Sequence, residues 1–225
     1  MSPIDERLRV LESGPSRAFK RVLDVAVSAV SLILMSPLLA VIALIIWLQM
    51  GRPIVFRQQR PGYMGVPFFA LKFRSMTDQR DEQGRLLPDG ERITRPGAFL
   101  RRSSLDELPQ FWNVLRGDMS LVGPRPLLMQ YLDRYTPEQA RRHSVPPGIT
   151  GWTQINGRND LAWEKKLALD VWYVDHWTLW LDLRILGITI WKVVKGEGIS
   201  ADGSATMPEF MGTETASSEE RARVR

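Results

Sequence analysis

Two adjacent carboxylates stand in the stretch Leu100-Arg101-Arg102-Ser103-Ser104-Leu105-Asp106-Glu107-Leu108-Pro109-Gln110, preceded by cations and hydroxyls. The plain account is structural. Ser104-Leu105-Asp106-Glu107 matches a capping box, and acids in a first turn are stabilised by the helix dipole. The ring of Pro109 would strike the Leu105 carbonyl if that residue were already helical, so the spacing predicts a helix over about 106–116. The same geometry could serve chemistry. A helix N-terminus offers N–H groups to phosphate and keeps a nearby carboxylate ionised. An ionised aspartate can ligate magnesium or attack phosphorus to form an acyl phosphate. Neighbouring helical residues diverge by about 100°, which gives Asp106 and Glu107 different tasks.

Phosphoryl transfer asks mainly for positive charge around the phosphoryl oxygens. Candidate cations are Lys72 and Arg74 in Leu71-Lys72-Phe73-Arg74-Ser75-Met76, then Arg101, Arg125 and Arg158. Arg125 lies between Pro124 and Pro126, which fix its backbone. For any one of them a solvated surface charge is the commoner fate. The stretch from Gly151 to Asn159 is rich in Gly and Asn and could bring backbone close to a nucleotide, a weak signal by itself. The 225-residue chain has no cysteine and only His143 and His176, which excludes thiolate chemistry and disulfides and argues against a histidine-built metal site. Any metal would sit on oxygen, as magnesium does. Lys and Arg exceed Asp and Glu by 30 to 25, a balance that suits anionic partners.

The elements around these residues are unevenly charged. Residues 25–50 contain no Asp, Glu, Lys or Arg and would form about 39 Å of helix, enough for a bilayer core. The run is too long for a signal peptide and no small-residue cleavage site follows it. Ser36-Pro37 falls near its middle, and each half alone is too short to cross. Arg17, Lys20 and Arg21 precede the run, and Arg52, Arg57 and Arg60 follow it. Basic residues on both flanks suit a helix–break–helix that enters and leaves by one face, while a single span kinked at proline fits equally on pattern alone. Beyond it, 53–76 reads as short strands, 78–97 as an exposed loop, 127–142 as a short helix and 145–159 as a Pro/Gly-rich connection. Trp163, Trp172, Trp177, Trp180 and Trp191 lie in amphipathic helices beside Lys165, Lys166, Arg184, Lys192 and Lys195, which suits the headgroup layer for some of them.

In order, Lys20-Arg21-x-x-Asp24, the apolar run broken at Ser36-Pro37, Arg60-Pro61-Gly62, Lys72-Phe73-Arg74-Ser75-Met76, Ser104 to Gln110, Asn113 to Ser120, Val122-Gly123-Pro124-Arg125-Pro126 and Pro147 to Trp152 form a specific series. The series resembles the bacterial monotopic phosphoglycosyl transferases, the polyprenyl-phosphate sugar-1-phosphate transferases, and is similar to their small PglC-type members over roughly 17–200. The resemblance implies transfer of a sugar 1-phosphate from a UDP-sugar to undecaprenyl phosphate, with UMP released, as the first membrane step of glycoconjugate assembly. It implies a ping-pong route in which Asp106 is the nucleophile beside Mg2+ and also a metal ligand, while Glu107 assists. Lys72, Arg101, Arg125 and Arg158 match phosphate or nucleotide positions. It also implies a re-entrant hairpin at Ser36 and Pro37 and a place on the cytoplasmic face of the bacterial inner membrane, with membrane lipids and no nucleic acid as partners.

The expected fold is α+β and predominantly helical. It has an N-terminal extension (1–16), a re-entrant membrane hairpin (17–50), an interfacial catalytic domain (51–200) and a disordered tail (201–225). Larger relatives carry a further domain ahead of this region, so the chain looks like the minimal catalytic unit. Two rival functions remain to be separated: a basic membrane-anchored adaptor, and a phosphohydrolase using the same acid pair with water as acceptor.

Overall fold

The computed structural model describes residues 15–157, 161–195 and 209–212. A long helix, α1 (Pro15–Met50), leads into an antiparallel hairpin of β1 (Val55–Pro61) and β2 (Pro67–Phe73). Helices α2 (Asp89–Arg92) and α3 (Arg95–Arg102) follow, then a 3-10 turn at Leu105–Glu107 and α4 (Gln110–Arg116). Strand β3 (Ser120–Val122) pairs in parallel with β4 (Gly148–Thr150), and α5 (Pro137–Ala140) lies between them in sequence. The chain continues through α6 (Trp152–Ile155), α7 (Trp163–His176) and α8 (Leu179–Lys195). The result is mixed helix and strand, mostly helical, as expected.

The main core joins Phe68 and Ala70 of β2, Val114 of α4, Leu121 and Val122 of β3, Tyr173 of α7 and Ile185 of α8. Because β3 and β4 are only three residues each, the parallel pair left no readable alternation in the sequence. What marks it is glycine. A Cβ on Gly148 would lie 2.1 Å from the Gly123 backbone nitrogen, and one on Gly151 would lie 2.2 Å from the Gly123 carbonyl. At Gly151 the glycine lets two backbones cross, and Arg158 and Asn159 of the same stretch lie outside the described residues.

Helix α1 does not divide at Ser36-Pro37, and its helical conformation runs through Pro37. Proline leaves the Ile33 carbonyl without its usual donor, and the Ser36 hydroxyl donates to that same oxygen at 2.8 Å. Serine thus repairs the bond that proline removes, which corrects the expectation of two separate helices. Both ends of α1 rest on the rest of the protein: Asp24 and Ser28 are buried near one end, Ile42 and Ile46 near the other. Between them Ile33, Leu34, Met35, Leu38 and Val41 stand exposed. By length and composition α1 is apolar enough to cross a membrane.

The basic flank ahead of the apolar run has internal work. Lys20 Nζ lies 2.5 Å from Asp182 of α8 and donates to the Val122 carbonyl. Arg21 donates to the Val114 and Leu115 carbonyls at 2.5 and 2.9 Å, satisfying the end of α4. Lys20 and Arg21 thus serve the fold as well as the basic flank. Arg74 is likewise spent, donating to the Met50 and Arg52 carbonyls and to Asp78, where it closes the end of α1.

Three further expectations change. The helix expected over 127–142 is two 3-10 turns, Met129–Arg134 and Arg141–Ser144, flanking α5, because Pro137 starts a new segment with Thr136 as its cap. Of the five late tryptophans, Trp177 is buried and bonds Asp182, and Trp163 meets Tyr131 edge-on, while Trp180 and Trp191 are exposed. Within the tail read as disordered, residues 209–212 are seated. Phe210 is 1% exposed among Tyr131, Tyr135 and Trp163, and Glu209 pairs with Arg134. Phe210→Ala should cost about 3 kcal/mol, the scale of a lost buried ring, and lower Tm in detergent; an unchanged Tm would mean that this segment is not part of the folded unit.

Candidate active site

The site is assembled from three separated pieces of chain. Strand β2 supplies Lys72. Its edge is fixed by Asn113 of α4, whose Oδ1 accepts from Leu71 N at 3.0 Å and whose Nδ2 donates to Phe69 O at 2.8 Å. Helix α3 supplies Arg101. Gly97 lets α3 lie against β2's continuation, since a Cβ there would sit 1.9 Å from the Ser75 carbonyl. At that approach Arg101 Nε donates to Ser75 Oγ at 2.9 Å and its Nη2 reaches Met76 Sδ at 2.8 Å.

The acids ride on the turn between α3 and α4. Pro109 excludes helix at Leu105, and the chain answers with the 3-10 turn Leu105–Glu107, so α4 begins only at Gln110. Ser104 makes no side-chain cap and instead adopts a left-handed conformation at φ 58°, costing about 1 kcal/mol in a non-glycine residue. The expected capping box and helix N-terminus at Asp106 are thereby corrected. Arg125 comes from the Pro124-Arg125-Pro126 turn. Its carbonyl accepts from Arg142 Nη2 at 2.6 Å, and Arg142 is held in a buried ion pair 2.7 Å from Asp170 of α7. Thr153 of α6 donates to the other oxygen of Asp170 at 2.6 Å.

In this frame the two adjacent acids have opposite fates. Glu107 Oε1 lies 2.5 Å from Lys72 Nζ, and Arg125 holds both oxygens, donating to Oε2 at 3.1 Å and to Oε1 with its other nitrogen. Burial disfavours its charge, but Arg125 and then Lys72 outweigh that and keep the Glu107 carboxyl well below the usual range. Asp106 is 7% exposed and, among the described residues, its carboxylate has neither hydrogen bond nor ion pair. Burial first, and the Glu107 charge second, push its carboxyl up, against Lys72, Arg125 and Arg101. One carboxylate is bonded through both oxygens and ionised; its neighbour is unengaged and more basic than an ordinary aspartate.

The structure brings Asp106, Glu107, Lys72, Arg101 and Arg125 together, and Arg158 lies outside the described residues. Arg142 and Asp170 carry no local signal, and Asn113 stands in the sequence only at the head of Asn113 to Ser120, because each acts through a partner distant in sequence. In the sequence Arg60 stands only as part of the basic flank after the apolar run and of Arg60-Pro61-Gly62. It donates to Gln58 Oε1 at 2.6 Å and toward the Pro126 carbonyl at 3.5 Å, and burial with the nearby Arg125 charge lowers it to about 10, so it stays charged at neutral pH.

For magnesium the donor set is small. No group of three acids or histidines converges among the described residues, and both Glu107 oxygens are already engaged by cations. Asp106 offers one carboxylate, which fits magnesium held jointly by protein, substrate phosphates and water rather than by a protein cage.

The two acids should respond oppositely to neutralisation in chelator-containing buffer. A raised carboxyl stabilises the fold least above its titration, so Asp106→Asn should raise Tm at neutral pH, with the gain shrinking as pH falls through the carboxylate range. Glu107→Gln should lower stability by about 1–3 kcal/mol, the loss tempered because the Arg125 side chain is 43% exposed. Equal shifts for both would contradict the division of roles.

The chain matches the family described as bacterial sugar transferase over residues 15–196. It is 52% identical over 199 residues to an uncharacterized sugar transferase, EpsL, of Bacillus subtilis (strain 168), covering 88% of this chain and 98% of that protein. It is 42% identical over 190 residues to the UDP-glucose:undecaprenyl-phosphate glucose-1-phosphate transferase of Escherichia coli (strain K12), covering 80% of this chain and 41% of that protein. It is 43% identical over 207 residues to a UDP-galactose-lipid carrier transferase of Erwinia amylovora, at 84% and 43% coverage. With the match along nearly its whole described length, the chain belongs to the bacterial sugar transferases, as an enzyme of the polyprenyl-phosphate sugar-1-phosphate transferase family.

Proposed function

We propose that this chain transfers a sugar 1-phosphate from a UDP-sugar to undecaprenyl phosphate through a covalent intermediate on Asp106. The observation that carries the reading is the split between the acids: Glu107 is locked by Lys72 and Arg125, whereas Asp106 is buried beside three cations with its oxygens unengaged. In the first half-reaction an Asp106 oxygen attacks the sugar-bearing phosphorus. The bridging P–O bond breaks, and its electron pair leaves on UMP. In the second, an oxygen of undecaprenyl phosphate attacks the same phosphorus, the Asp106 Oδ–P bond breaks, and the carboxylate returns. Charge balances without a net proton, so no general base is required. Lys72, Arg101 and Arg125 stabilise the charge on the phosphoryl oxygens, and Glu107 sets the positions of Lys72 and Arg125. Magnesium, held by Asp106 with the donor phosphates, would add further neutralising charge there.

One site serving two bulky substrates in turn needs a place where both phosphates arrive. The re-entrant reading of α1 is supported by its contacts: both flanks are tied to the rest of the protein while the apolar stretch around Pro37 stands clear. On α8 the exposed side chains Trp180, Leu183, Ile190 and Trp191 recur at helical spacing, an apolar stripe on the outer face with the exposed Arg184 beside it. With Lys195 over the Trp191 ring at 4.1 Å, that stripe suits the headgroup layer. These surfaces would hold the acid pair at the cytoplasmic face of the inner membrane. The relatives' names differ in their sugars, glucose for one and galactose for another, so the sugar is left to assay.

Purified protein with magnesium and a panel of UDP-sugars should release UMP up to about one equivalent without undecaprenyl phosphate, and continuously once it is added. Asp106→Asn should remove both phases. Continuous release without the lipid phosphate would make the enzyme a hydrolase, and no release with any sugar would favour the adaptor. Epitope tags at both termini should be reached only from the cytoplasm, and a periplasmic N-terminus would mean that α1 spans.

A further inference from the structure

On the hairpin, Phe56, Gln58 and Arg60 of β1 alternate onto one face, and their cross-strand partners are Lys72, Ala70 and Phe68 of β2. Phe68 and Ala70 enter the main core and Lys72 reaches Glu107, so this is the face turned to the site. The face has a direction. Its Phe56–Lys72 end lies beside the exit of α1, where Phe73 and Leu105 pack with Ile42 and Ile46. Arg60 is four residues further along, about 13 Å at strand rise, next to the Pro126 carbonyl and within electrostatic reach of Tyr131, Tyr135, Arg125 and Glu107. Among the described residues the Arg60 guanidinium has no carboxylate partner.

The local charge is unbalanced in the same place. Arg60, Lys72, Arg101 and Arg125 gather around Asp106 and Glu107, and Glu107 is shared by Lys72 and Arg125. Two guanidiniums held near one another, one of them half-buried without an acid, are stabilised when an anion bridges them. A nucleoside diphosphate sugar carries the two negative charges that offset the excess. Its reacting phosphorus must lie at Asp106, so its other phosphate falls on one side or the other of Arg125. The apolar end beside α1 suits a lipid chain; the end with Arg60 and the tyrosines suits a nucleotide.

We propose that Arg60, with Arg125, is the seat of the nucleotide phosphate, holding the phosphate that leaves as the nucleoside monophosphate, while the lipid phosphate enters from the Lys72 end. The inference rests on the transfer reading for its direction. Arg60 is then a substrate-binding residue that places the leaving group in line with Asp106 attack. Charge developing on the departing oxygen also falls within its field.

Equilibrium binding of UMP and of uridine to the full chain tests this without turnover. Arg60→Gln should weaken UMP about ten-fold or more, the scale of a lost charge-assisted hydrogen bond, and leave uridine unchanged. Arg60→Lys should recover part of the UMP affinity. In turnover the same variants should raise KM for the UDP-sugar and leave unchanged the rate at which undecaprenyl phosphate discharges a preformed intermediate. Equal UMP affinity in wild type and variants overturns the assignment. So does a parallel loss of uridine and UMP in both variants, which would mean a structural role, or a selective rise in KM for undecaprenyl phosphate. Failure of the wild type to release UMP from a UDP-sugar would count against the transfer reaction, not against a site that binds UMP through Arg60.

Discussion

The neutralisation of Glu107 by Lys72 and Arg125 is the constraint on which the site depends. Two adjacent buried carboxylates repel one another and each loses hydration. The chain resolves this by giving both cations to one acid and leaving the other with field but no contact. Glu107 therefore gains in ionisation what Asp106 lacks, and the pair becomes one anchored and one unengaged carboxylate. The clamp is also a joint, because Lys72 belongs to a hairpin, Glu107 to the turn before α4, and Arg125 to a proline-bounded turn after β3. Drawing those three pieces together fixes the charged surroundings of Asp106.

Supporting layers keep that joint in register. Asn113 sews β2 to α4 through the backbone of Leu71 and Phe69, and Arg142 holds the Arg125 carbonyl through Asp170. Beneath them Asp182 gathers Lys20, Tyr173 and Trp177, so the membrane-type helix is fastened to α7 and α8 by a buried carboxylate. A helix fastened in this way at one end, and packed through Ile42 and Ile46 near the acid turn at the other, couples the height of the apolar segment to the height of the site.

The sequence made the acids, three of the surrounding cations, the hairpin and the apolar run legible, because each is a local pattern of residue type and spacing. Contacts between distant positions were not legible. Lys20 and Arg21 read as a membrane flank, since nothing local announces that their partners are Asp182 and the end of α4. Pro109 was read correctly as an obstacle, yet the chain met it with a 3-10 turn and a left-handed Ser104 rather than with a helix start. At Ser36-Pro37 the proline was weighed without the serine, whose hydroxyl satisfies the carbonyl that proline strands. Arg60 reads as a flank cation and not as a site cation for a similar reason: only the folded hairpin puts it on the same face as Lys72.

The most direct measurement is peptide mapping by mass spectrometry after the protein has been soaked with its UDP-sugar in the absence of lipid phosphate. A phosphosugar carried on Asp106 alone, and lost on adding undecaprenyl phosphate, is the predicted result. The same mass on Glu107, or product formed while every peptide stays unmodified, would contradict the division between the two acids.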